Sequence, residues 1–597
     1  MTRTTGPGLF QPHTLALAVA VGFAAPAQAV NFNIGEIEGQ FDSSLSVGAS
    51  WSMRSPDRDL IGPNNGGQGQ AQTGDDGRLN FKKGETFSKI FKGIHDLELK
   101  YRDTGVFVRG KYWYDFELKD EGRRFKDIDD HNRKEGAKSS GAEILDAFVY
   151  HNYAIGDLPG TVRAGKQVVS WGESTFIGNS INSINPIDVA AFRRPGAEIK
   201  EGLIPVNMLY VSQSLSDRLS MEAFYQLEWD QTIIDNCGTF FSTADVAADG
   251  CDSGYHIGSP AIAPLQPVAA AFGQGFRVDS EGVILPRAGD RDARDSGQWG
   301  LALRWLGDET EYGLYFMNYH SRTPIVSTQN AGQATLNALP GIIGTANGIV
   351  PGSGAGLAQS VMLGNGRYFL DYPEDIRLYG ASFSTTLPTG TAWSGEISYR
   401  PNLPLQINTT DMTLSLLNPI APGTSPVTAG PGQDNVGYRR KEVTQVQTTF
   451  THFFDQVMGA GRFTLVGEIG MAHVGGLESR EDLRYGRDSL FGAYGFRGDT
   501  HGFVTSTSWG YRVRGIWEYS NVFAGVNLKP NVSWSHDVDG YGPNGLFNEG
   551  AKAVSFGIDA DYRNTYTASL SYTDFFGGKY NTAVDRDFLA LSFGVSF

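Results

Sequence analysis

The chain has 597 residues with 65 acidic and 49 basic side chains, and its formal net charge of -16 argues against nucleic acid as a partner. Mean hydropathy is -0.26, and beyond the N-terminus no apolar run is long enough to cross a bilayer as a helix. The 76 glycines and 12% aromatic residues are typical of a β-rich chain with many tight turns. Membrane β-barrels escape hydropathy tests because their strands alternate lipid-facing and water-facing residues.

The N-terminal segment has the features of a secretory signal peptide. Arg3 supplies a positive charge, residues 14–25 (TLALAVAVGFAA) are apolar, and Ala27-Gln28-Ala29 fits the small-x-small cleavage rule. We therefore predict a signal peptide over residues 1–29 and a single domain over residues 30–597, whose fold is inferred from its strands. No cysteine lies directly at the predicted cleavage site, so a lipid-modified N-terminus is not expected.

The first strongly alternating segments are IHDLELKY and GVFVRGKYWYDFEL, which are joined by RDTG. Alternation of apolar and polar residues predicts strands with one apolar face. If that face contacts lipid, the opposite face is wet. The charges predicted to face the lumen here are Asp96, Glu98, Arg109, Lys111 and Asp115. We expect them either to pair across the wall or to orient polar solutes in an aqueous path.

The stretch AGKQVVSWGESTFIGNSINSINPIDVAAFRRPGAEIKE, residues 164–201, differs from ordinary solvated loop sequence. It contains many apolar side chains, which are expected to be buried. We predict that residues 171–200 fold into the barrel and narrow the pore, and a packed external cap is the alternative. The residues predicted to bind solute or to constrict the pore are Glu173, Asn182, Asn185, Asp188, Arg193 and Arg194.

Two loop features raise the question of metal binding. Asp75 and Asp76 are adjacent in TGDDGRLNF, but the spaced acidic ligands of a calcium loop are missing, so we predict a solvated turn. Cys237 and Cys251 lie close together in an exported chain, which predicts a disulfide that closes a loop. Metal binding by the cysteines is weaker as an interpretation, because CxxC spacing is absent and only His256 is nearby. No metal site is predicted.

The C-terminal third repeats the alternation. WGYRVRGIWEY places Arg512, Arg514 and Glu518 on the predicted lumen face, and AVSFGIDADYR and TYTASLSYTDF flank an RN hairpin turn. The chain ends in DFLALSFGVSF, in which every second residue back from the terminal Phe597 is apolar. This ending is similar to the assembly signal of bacterial outer-membrane barrels.

The whole pattern predicts an all-β fold, a transmembrane antiparallel β-barrel of about 18 strands, within a range of roughly 16–18. Short turns follow the even strands, and long segments follow the odd ones. A soluble sandwich or propeller has no reason to keep that parity, whereas periplasmic turns and external loops produce it. The barrel must close, because every backbone group in hydrocarbon needs a partner within the protein. The main long segments are 54–93, 119–142, 171–200, 230–296, 321–374, 402–440 and 475–506.

The motifs GKQVVSWGES, INPIDV and RRPGAEIKEGLIP, with the signal peptide and the barrel end, resemble a family of proteobacterial outer-membrane proteins catalogued as domain of unknown function 1302. The resemblance covers nearly the whole mature chain. It implies a barrel in the outer membrane of a Gram-negative bacterium, in contact with lipid and lipopolysaccharide. It also implies a periplasmic lipoprotein-like partner and neighbouring transporters of the resistance-nodulation-division type. That setting implies traffic of hydrophobic or amphipathic compounds, and it brings no catalytic residues.

The sequence thus predicts a channel that passes small molecules across the outer membrane and is gated by an inward-folded loop. An enzyme is not expected, since none of the ten histidines is followed by Ser at the second position, as in outer-membrane phospholipases. Two alternatives stay open. One is a general hydrophilic-solute porin, which the charged lumen favours, and the other is an adhesin or structural barrel that binds through its external loops. No cofactor is predicted.

Overall fold

The computed structural model describes residues 30–597 and is dominated by one antiparallel sheet of 19 strands. The short strand Val30–Ile34 is one of them, and the other 18 form a closed barrel, which confirms the predicted strand count. The predicted signal peptide lies outside the described residues. The barrel strands are β1 Ile37–Ser52, β2 Thr86–Tyr101, β3 Thr104–Asp115, β4 Ser140–Ile155, β5 Leu158–Gln167, β6 Val206–Ser214, β7 Leu219–Gln226, β8 Trp299–Leu306, β9 Thr310–Tyr319, β10 Ile376–Thr386, β11 Ala392–Gln406, β12 Tyr438–Asp455, β13 Arg462–Gly475, β14 Thr507–Phe523, β15 Val526–Asp539, β16 Lys552–Tyr562, β17 Tyr566–Phe576 and β18 Phe588–Ser596.

The barrel closes between its first and last strands. β1 pairs antiparallel with β18 in a register that sets Ser52 opposite Phe588. The backbone of the terminal Phe597 exchanges two hydrogen bonds with that of Ser43, at 2.6 and 2.8 Å. The strand Val30–Ile34 pairs with the beginning of β1, next to the end of β18. Every barrel strand therefore has a partner on both sides, which satisfies the backbone in a solvent without water.

One end of the barrel has tight turns and the other has the long connections. β16 and β17 are joined by residues 563–565, so the predicted RN turn is one residue longer in the structure. Arg563 and Asn564 have the positive φ angles, 56° and 54°, that tight hairpin turns require. Short turns at residues 102–103 and 156–157 lie at the same end. The connections at the opposite end are residues 53–85, 116–139, 168–205, 227–298, 320–375, 407–437, 476–506, 540–551 and 577–587. This is the predicted alternation of short and long connections.

The outer face of the barrel is apolar. On β11, Ile397 is exposed, whereas its neighbours Glu396 and Ser398 are buried inside. On β13, Ile469 is exposed while Glu468 is buried. Large apolar side chains are exposed in the same way on most of the other barrel strands. Such a surface is stable only against lipid, so the protein is an outer-membrane β-barrel.

The long connections pack against one another. Helices Gln333–Ile349 and Gly354–Asn365 bury their apolar side chains against residues of the 227–298 connection, in which Cys237 and Cys251 form a disulfide. Across residues 30–597 no helix is both long enough and apolar enough to span a bilayer. The α-helices are α1 Asp76–Asn80, α2 Phe116–Asp120, α3 Val189–Arg193, α4 Ile199–Gly202, α5 Gln266–Ala271, α6 Gln333–Ile349, α7 Gly354–Asn365 and α8 Thr409–Ser415. The strands of the connections are His256–Ile257, Val278–Asp279, Gly282–Ile284, Ile325–Gln329, Arg367–Asp371 and Asp434–Asn435.

Candidate functional site

Residues 168–205, which join β5 to β6, are called the inner loop here because they contact inward-facing side chains of the barrel. Trp171 is buried, its indole Nε1 donates to Glu222 on β7 at 2.7 Å, and its ring lies 5.8 Å from that of Tyr315 on β9. The loop therefore does not extend into solvent after β5. It turns into the barrel, as the apolar content of this stretch predicts.

Two buried carboxylates on the barrel wall bind the backbone of the inner loop. Glu468 on β13 accepts hydrogen bonds from the amides of Thr175, Phe176 and Ile177 at 2.9, 2.6 and 2.7 Å. Glu396 on β11 accepts from the amide of Glu173. Hydrogen bonds to an ionised acceptor contribute about 1.5–3 kcal/mol each. These two residues therefore fix the first part of the loop against the wall.

Side-chain amides on β12 complete this attachment. Gln447 Nε2 donates to the carbonyl of Ile177 at 3.0 Å, and Gln445 Nε2 donates to that of Gly178 at 2.9 Å. The wall thus presents acceptors to the loop's amides and donors to its carbonyls. A buried segment without regular secondary structure needs such partners for its backbone, which explains why it is stable inside the barrel.

Two glycines on the wall allow the loop to approach closely. A Cβ on Gly380 of β10 would lie 2.8 Å from Ile181 Cγ1. A Cβ on Gly470 of β13 would lie 2.7 Å from Ile177 Cδ1. The isoleucine side chains occupy the space that a side chain on the wall would need, so these strand positions are small where the loop packs.

The second part of the inner loop contacts the opposite side of the barrel. Lys92 on β2 pairs with Glu201 at 2.6 Å, and Lys111 on β3 pairs with Asp188 at 3.2 Å. All four side chains are buried. On β1, Ser44 Oγ donates to Glu198 of the loop at 3.3 Å. Because the first part of the loop lies against β7 to β13 and the second against β1 to β3, the loop crosses the interior of the barrel.

The predicted arginine pair is used within the protein. Arg193 pairs with Asp235 and donates to the carbonyl of Phe241 at 2.9 Å. Arg194 lies over the ring of Trp113 at 4.4 Å and also donates to a loop carbonyl at 2.7 Å. Both side chains therefore connect the inner loop to neighbouring segments, and neither projects alone into an open pore.

The other predicted loop residues have distinct positions. Asn185 donates to the carbonyl of Ile204 at 2.9 Å, and Asn182 donates to Ser170 Oγ at 3.0 Å. Both asparagines also line a cavity beside the loop. Asp188 is fully buried and caps helix α3 as well as pairing with a lysine. Of the six predicted residues, the two asparagines alone line that cavity.

The cavity lies between the inner loop, the upper parts of β9 to β12 and several long connections, and its volume is about 590 Å³. One part of its lining is apolar, and the other includes three arginines that we call the arginine triad: Arg322, Arg400 and Arg487. The apolar lining includes Ile187, Val189, Tyr319, Ile325, Ile376 and Leu403. The cavity therefore combines an apolar surface with positive charge.

The arginine triad has only neutral hydrogen-bond partners. Arg322 donates to the carbonyl of Ile184 at 3.0 Å, Arg400 donates to the carbonyl of Asn179, and Arg487 donates to main-chain carbonyls. Within residues 30–597, none of the three forms an ion pair. Burial lowers the pKa of Arg322 to about 10, so it is still charged at neutral pH. The positive charge of the cavity is thus not compensated by bonded carboxylates.

The cavity also contains one acidic side chain. Among the described residues of its lining, Asp488 alone carries a carboxylate, and burial raises its pKa. The arginine triad was not predicted from the sequence. Arg400 is the last residue of the alternating segment TAWSGEISYR and lies on its inward face, which is a local signal. The other two arginines lie in irregular connections and have no such signal.

The predicted lumen charges on β2 and β3 form pairs along the wall. Arg109 donates to both oxygens of Asp96 at 2.7 Å and to Asp146 at 3.3 Å. Glu98 accepts a hydrogen bond from the Tyr150 hydroxyl at 2.6 Å. These side chains therefore pair with one another across neighbouring strands of the wall, which is the first of the two arrangements predicted for them.

Three further lumen predictions lie on β14, and one lies at the end of β3. Arg512 pairs with Asp537 at 2.6 Å. Arg514 and Glu518 share its face of the strand, and neither takes part in an ion pair of the described chain. Asp115 is buried and accepts from Ser88 Oγ at 2.5 Å. The lumen face of the barrel is thus polar on both sides of the inner loop.

A family model described as "Protein of unknown function (DUF1302)" matches residues 11–597, and no curated protein matches the chain. Among solved structures, the chain is similar to OccD3 (OpdP) of Pseudomonas aeruginosa, with 10% identity, 96% of this chain and 93% of that chain covered, and a TM-score of 0.38. OccAB3 of Acinetobacter baumannii has 9% identity, coverage of 93% and 99%, and a TM-score of 0.39. The outer membrane protein OpdK of Pseudomonas aeruginosa has 9% identity, coverage of 93% and 98%, and a TM-score of 0.38.

Proposed function

The chain belongs to the family described as "Protein of unknown function (DUF1302)", and we propose that it is an outer-membrane channel whose inner loop forms the constriction for small amphipathic solutes. The observation that carries this proposal is the path of the inner loop. It contacts β7 to β13 with its first part and β1 to β3 with its second. A barrel of 18 strands is too wide for wall side chains to fill, so a segment that crosses it sets the width of the remaining path.

The lining of the adjoining cavity supports the choice of solute class. Its apolar side chains suit the hydrocarbon part of an amphipathic molecule, and the arginine triad suits a carboxylate or another anionic group. The guanidinium groups already have neutral partners, so an anion would add charge compensation without breaking a buried ion pair. We therefore propose that amphipathic anions are preferred over neutral molecules of the same shape.

The family membership supports a further part of the proposal, namely a periplasmic lipoprotein-like partner that exchanges poorly soluble solute with the barrel. Lipid and lipopolysaccharide would surround the apolar belt. Such a partner would act at the end of the barrel that carries the short turns.

A general hydrophilic-solute porin is the second candidate. The observation that favours it is the set of polar charges on the lumen face, including Arg514 and Glu518, which take part in no ion pair of the described chain. In that case polar solutes would pass whether or not they carry an apolar part. The arginine triad would then favour anions over neutral solutes in general, with no added preference for amphipathic anions.

Conductance of purified protein in planar bilayers tests the constriction. In the double variant Glu396→Ala/Glu468→Ala the inner loop loses both carboxylate partners, so we expect single-channel conductance to rise, because the loop leaves the lumen more often. Glu98→Ala is the matched control, since Glu98 also faces the lumen and bonds only Tyr150. Both variants must show the heat-modifiable mobility of a folded barrel. Equal conductance in wild type and double variant would mean that the loop does not limit the path.

Solute preference is tested with proteoliposomes and matched solutes. Uptake of an aromatic or medium-chain carboxylate is compared with uptake of its neutral amide. We expect wild type to prefer the carboxylate and Arg400→Gln to lose at least about fivefold of that preference, which corresponds to about 1 kcal/mol. A preference that is the same in Arg400→Gln, together with rapid uptake of small sugars, would favour the hydrophilic porin instead.

A further inference from the structure

Three acidic residues from two connections meet in the long-loop region. Asp75 and Asp76 lie in the 53–85 connection and Asp245 lies in the 227–298 connection, and one carboxylate oxygen of each is within 4.8 Å of the others. Their exposed fractions are 0%, 5% and 1%. The sequence-based prediction of a solvated turn is therefore wrong. The turn is buried because the backbone near Thr243 packs directly on Gly74, where a Cβ would lie 2.3 Å from the Thr243 carbonyl.

Two carboxylate oxygens of this cluster stay available for a ligand. Asp75 Oδ2 accepts from the Gly62 amide at 2.8 Å and from Asn65 at 3.0 Å, and Asp245 Oδ2 accepts from the Asp76 amide at 3.1 Å. The Oδ1 atoms of Asp75 and Asp245 are buried and have no hydrogen-bond partner in the described chain. Buried acceptors in proteins are normally paired, so these two atoms point to a bound group.

The charges around the cluster are not balanced. Glu281 adds a fourth buried carboxylate. Lys126 Nζ donates to both carboxylate oxygens of Asp76, at 3.0 and 3.1 Å, and lies 2.6 Å from Glu281. An adjoining ion-pair group adds one net positive charge, and it consists of Arg78, Arg586 and Asp585. When all of these side chains are ionised, two negative charges remain without compensation inside the protein.

Burial makes that excess unfavourable. Charges of one sign that are buried together cost free energy unless an opposite charge compensates them. A divalent cation carries the charge that balances the group.

We propose that Asp75 and Asp245 bind a calcium ion through their Oδ1 atoms, beside the carboxylate of Asp76. All of the available ligand atoms are carboxylate oxygens, and calcium prefers hard oxygen ligands and tolerates irregular geometry. Zinc and copper sites normally include nitrogen or sulfur ligands. The ion would join the 53–85 connection to the 227–298 connection and so stabilise the packing of the long connections at that end of the barrel. This proposal is independent of the channel function.

A neighbouring group of potential ligands provides an internal comparison. His256 Nε2 lies 2.9 Å from Asp279 Oδ2, and Glu281 completes this second set. It contains a nitrogen ligand, and Asp279 is largely exposed, so we expect it to bind calcium much less well. Asp279→Asn is therefore a matched control, because it removes a nearby carboxylate without touching the first set.

The test uses the full mature protein in detergent, stripped of metal with a chelator and titrated with calcium chloride by calorimetry. We expect wild type to bind one calcium ion per chain and to gain thermal stability from it. Asp245→Asn is expected to weaken binding at least tenfold and to abolish the gain in thermal stability, whereas Asp279→Asn changes neither. Heat-modifiable mobility shows that each variant is folded, and Asp75→Asn takes the place of Asp245→Asn if the latter does not fold.

Three results would overturn the proposal. The first is wild type that neither takes up calcium nor gains thermal stability from it. The second is undiminished binding in the folded Asp245→Asn or Asp75→Asn variant, or loss of binding in Asp279→Asn instead. The third is calcium binding that appears only in Lys126→Met, which would show that the lysine is the sole counterion of the cluster in the native protein.

Discussion

The attachment of the inner loop to Glu468 allows one prediction to be worked out from the hydrogen bonds. Glu468 is 1% exposed and accepts from the amides of Phe176 and Ile177 with one oxygen, and from Thr175 with the other. Glu468→Gln preserves the size of the side chain but replaces one oxygen by an amino group. An amino group cannot accept a hydrogen bond, so at least one loop amide loses its partner.

The fewest hydrogen bonds are lost if the new amino group faces Thr175. The Thr175 amide then has no acceptor, and the remaining oxygen still accepts from the amides of Phe176 and Ile177. An unpaired buried amide costs about 1–3 kcal/mol, and the two bonds that remain also lose the strength that comes from a charged acceptor. We take about 2 kcal/mol for the variant, which corresponds to an increase of about thirtyfold in the population of the detached loop.

Hydrogen–deuterium exchange of the backbone amides measures that population directly, because local opening controls their exchange. We expect the amides of residues 173–181 to exchange about thirtyfold faster in Glu468→Gln, while the amides of β13 keep their wild-type rate. Glu98→Gln is the control, since its carboxylate bonds only Tyr150, and it should leave residues 173–181 unchanged. Exchange in this segment within threefold of wild type in Glu468→Gln would show that the carboxylate does not hold the loop.

Three further predictions concern other contacts. Gly470→Val is expected to displace the inner loop and to increase current fluctuations in planar bilayers, because a Cβ at this position would lie 2.7 Å from Ile177 Cδ1. Gly467→Val is the control and should behave as wild type, because a Cβ there would meet nothing within 4 Å. Cys237→Ser removes a cross-link between positions 14 residues apart. It should lower the free energy of unfolding of the long connections by about 3 kcal/mol, measured with denaturant under oxidising conditions. Under reducing conditions the variant and wild type should unfold alike. The third concerns pH. The fold raises the pKa of Asp245 to about 6 and that of Asp76 to about 8 from the ordinary value of 3.8. The contribution of these groups to the free energy of unfolding is therefore fully present below pH 3.8 and is lost as the pH rises from there to about 8. Thermal scans in chelator should show the decline, scans with excess calcium should not, and a flat profile in chelator would contradict it.

The barrel was predictable because its rules are local and periodic. Segments such as AVSFGIDADYR and TYTASLSYTDF alternate residue by residue, and a bilayer requires one apolar face and a closed sheet. The RN turn and the parity of short and long connections follow from the same requirement. The apolar content of residues 171–200 was also sufficient to predict that this segment is buried, although a packed external cap remained the alternative to a place inside the barrel.

The site depended on contacts that have no local signature. Glu396 and Glu468 were ordinary inward-facing positions in the sequence, and only the path of the inner loop makes them its partners. Arg193 and Arg194 were predicted at a constriction, yet their charges meet an aspartate and an indole ring supplied by segments far along the chain.

The class of the fold, the strand count, the closure of the barrel and the burial of one loop were predictable from sequence, because periodicity and solvent impose those features on each segment separately. The pairing of the charges, the position of the arginine triad and the burial of Asp75 against Asp245 became visible in the folded chain. Those outcomes depend on distances between residues of different strands and connections, and electrostatic energy depends on such distances and on burial, which no single stretch of sequence contains.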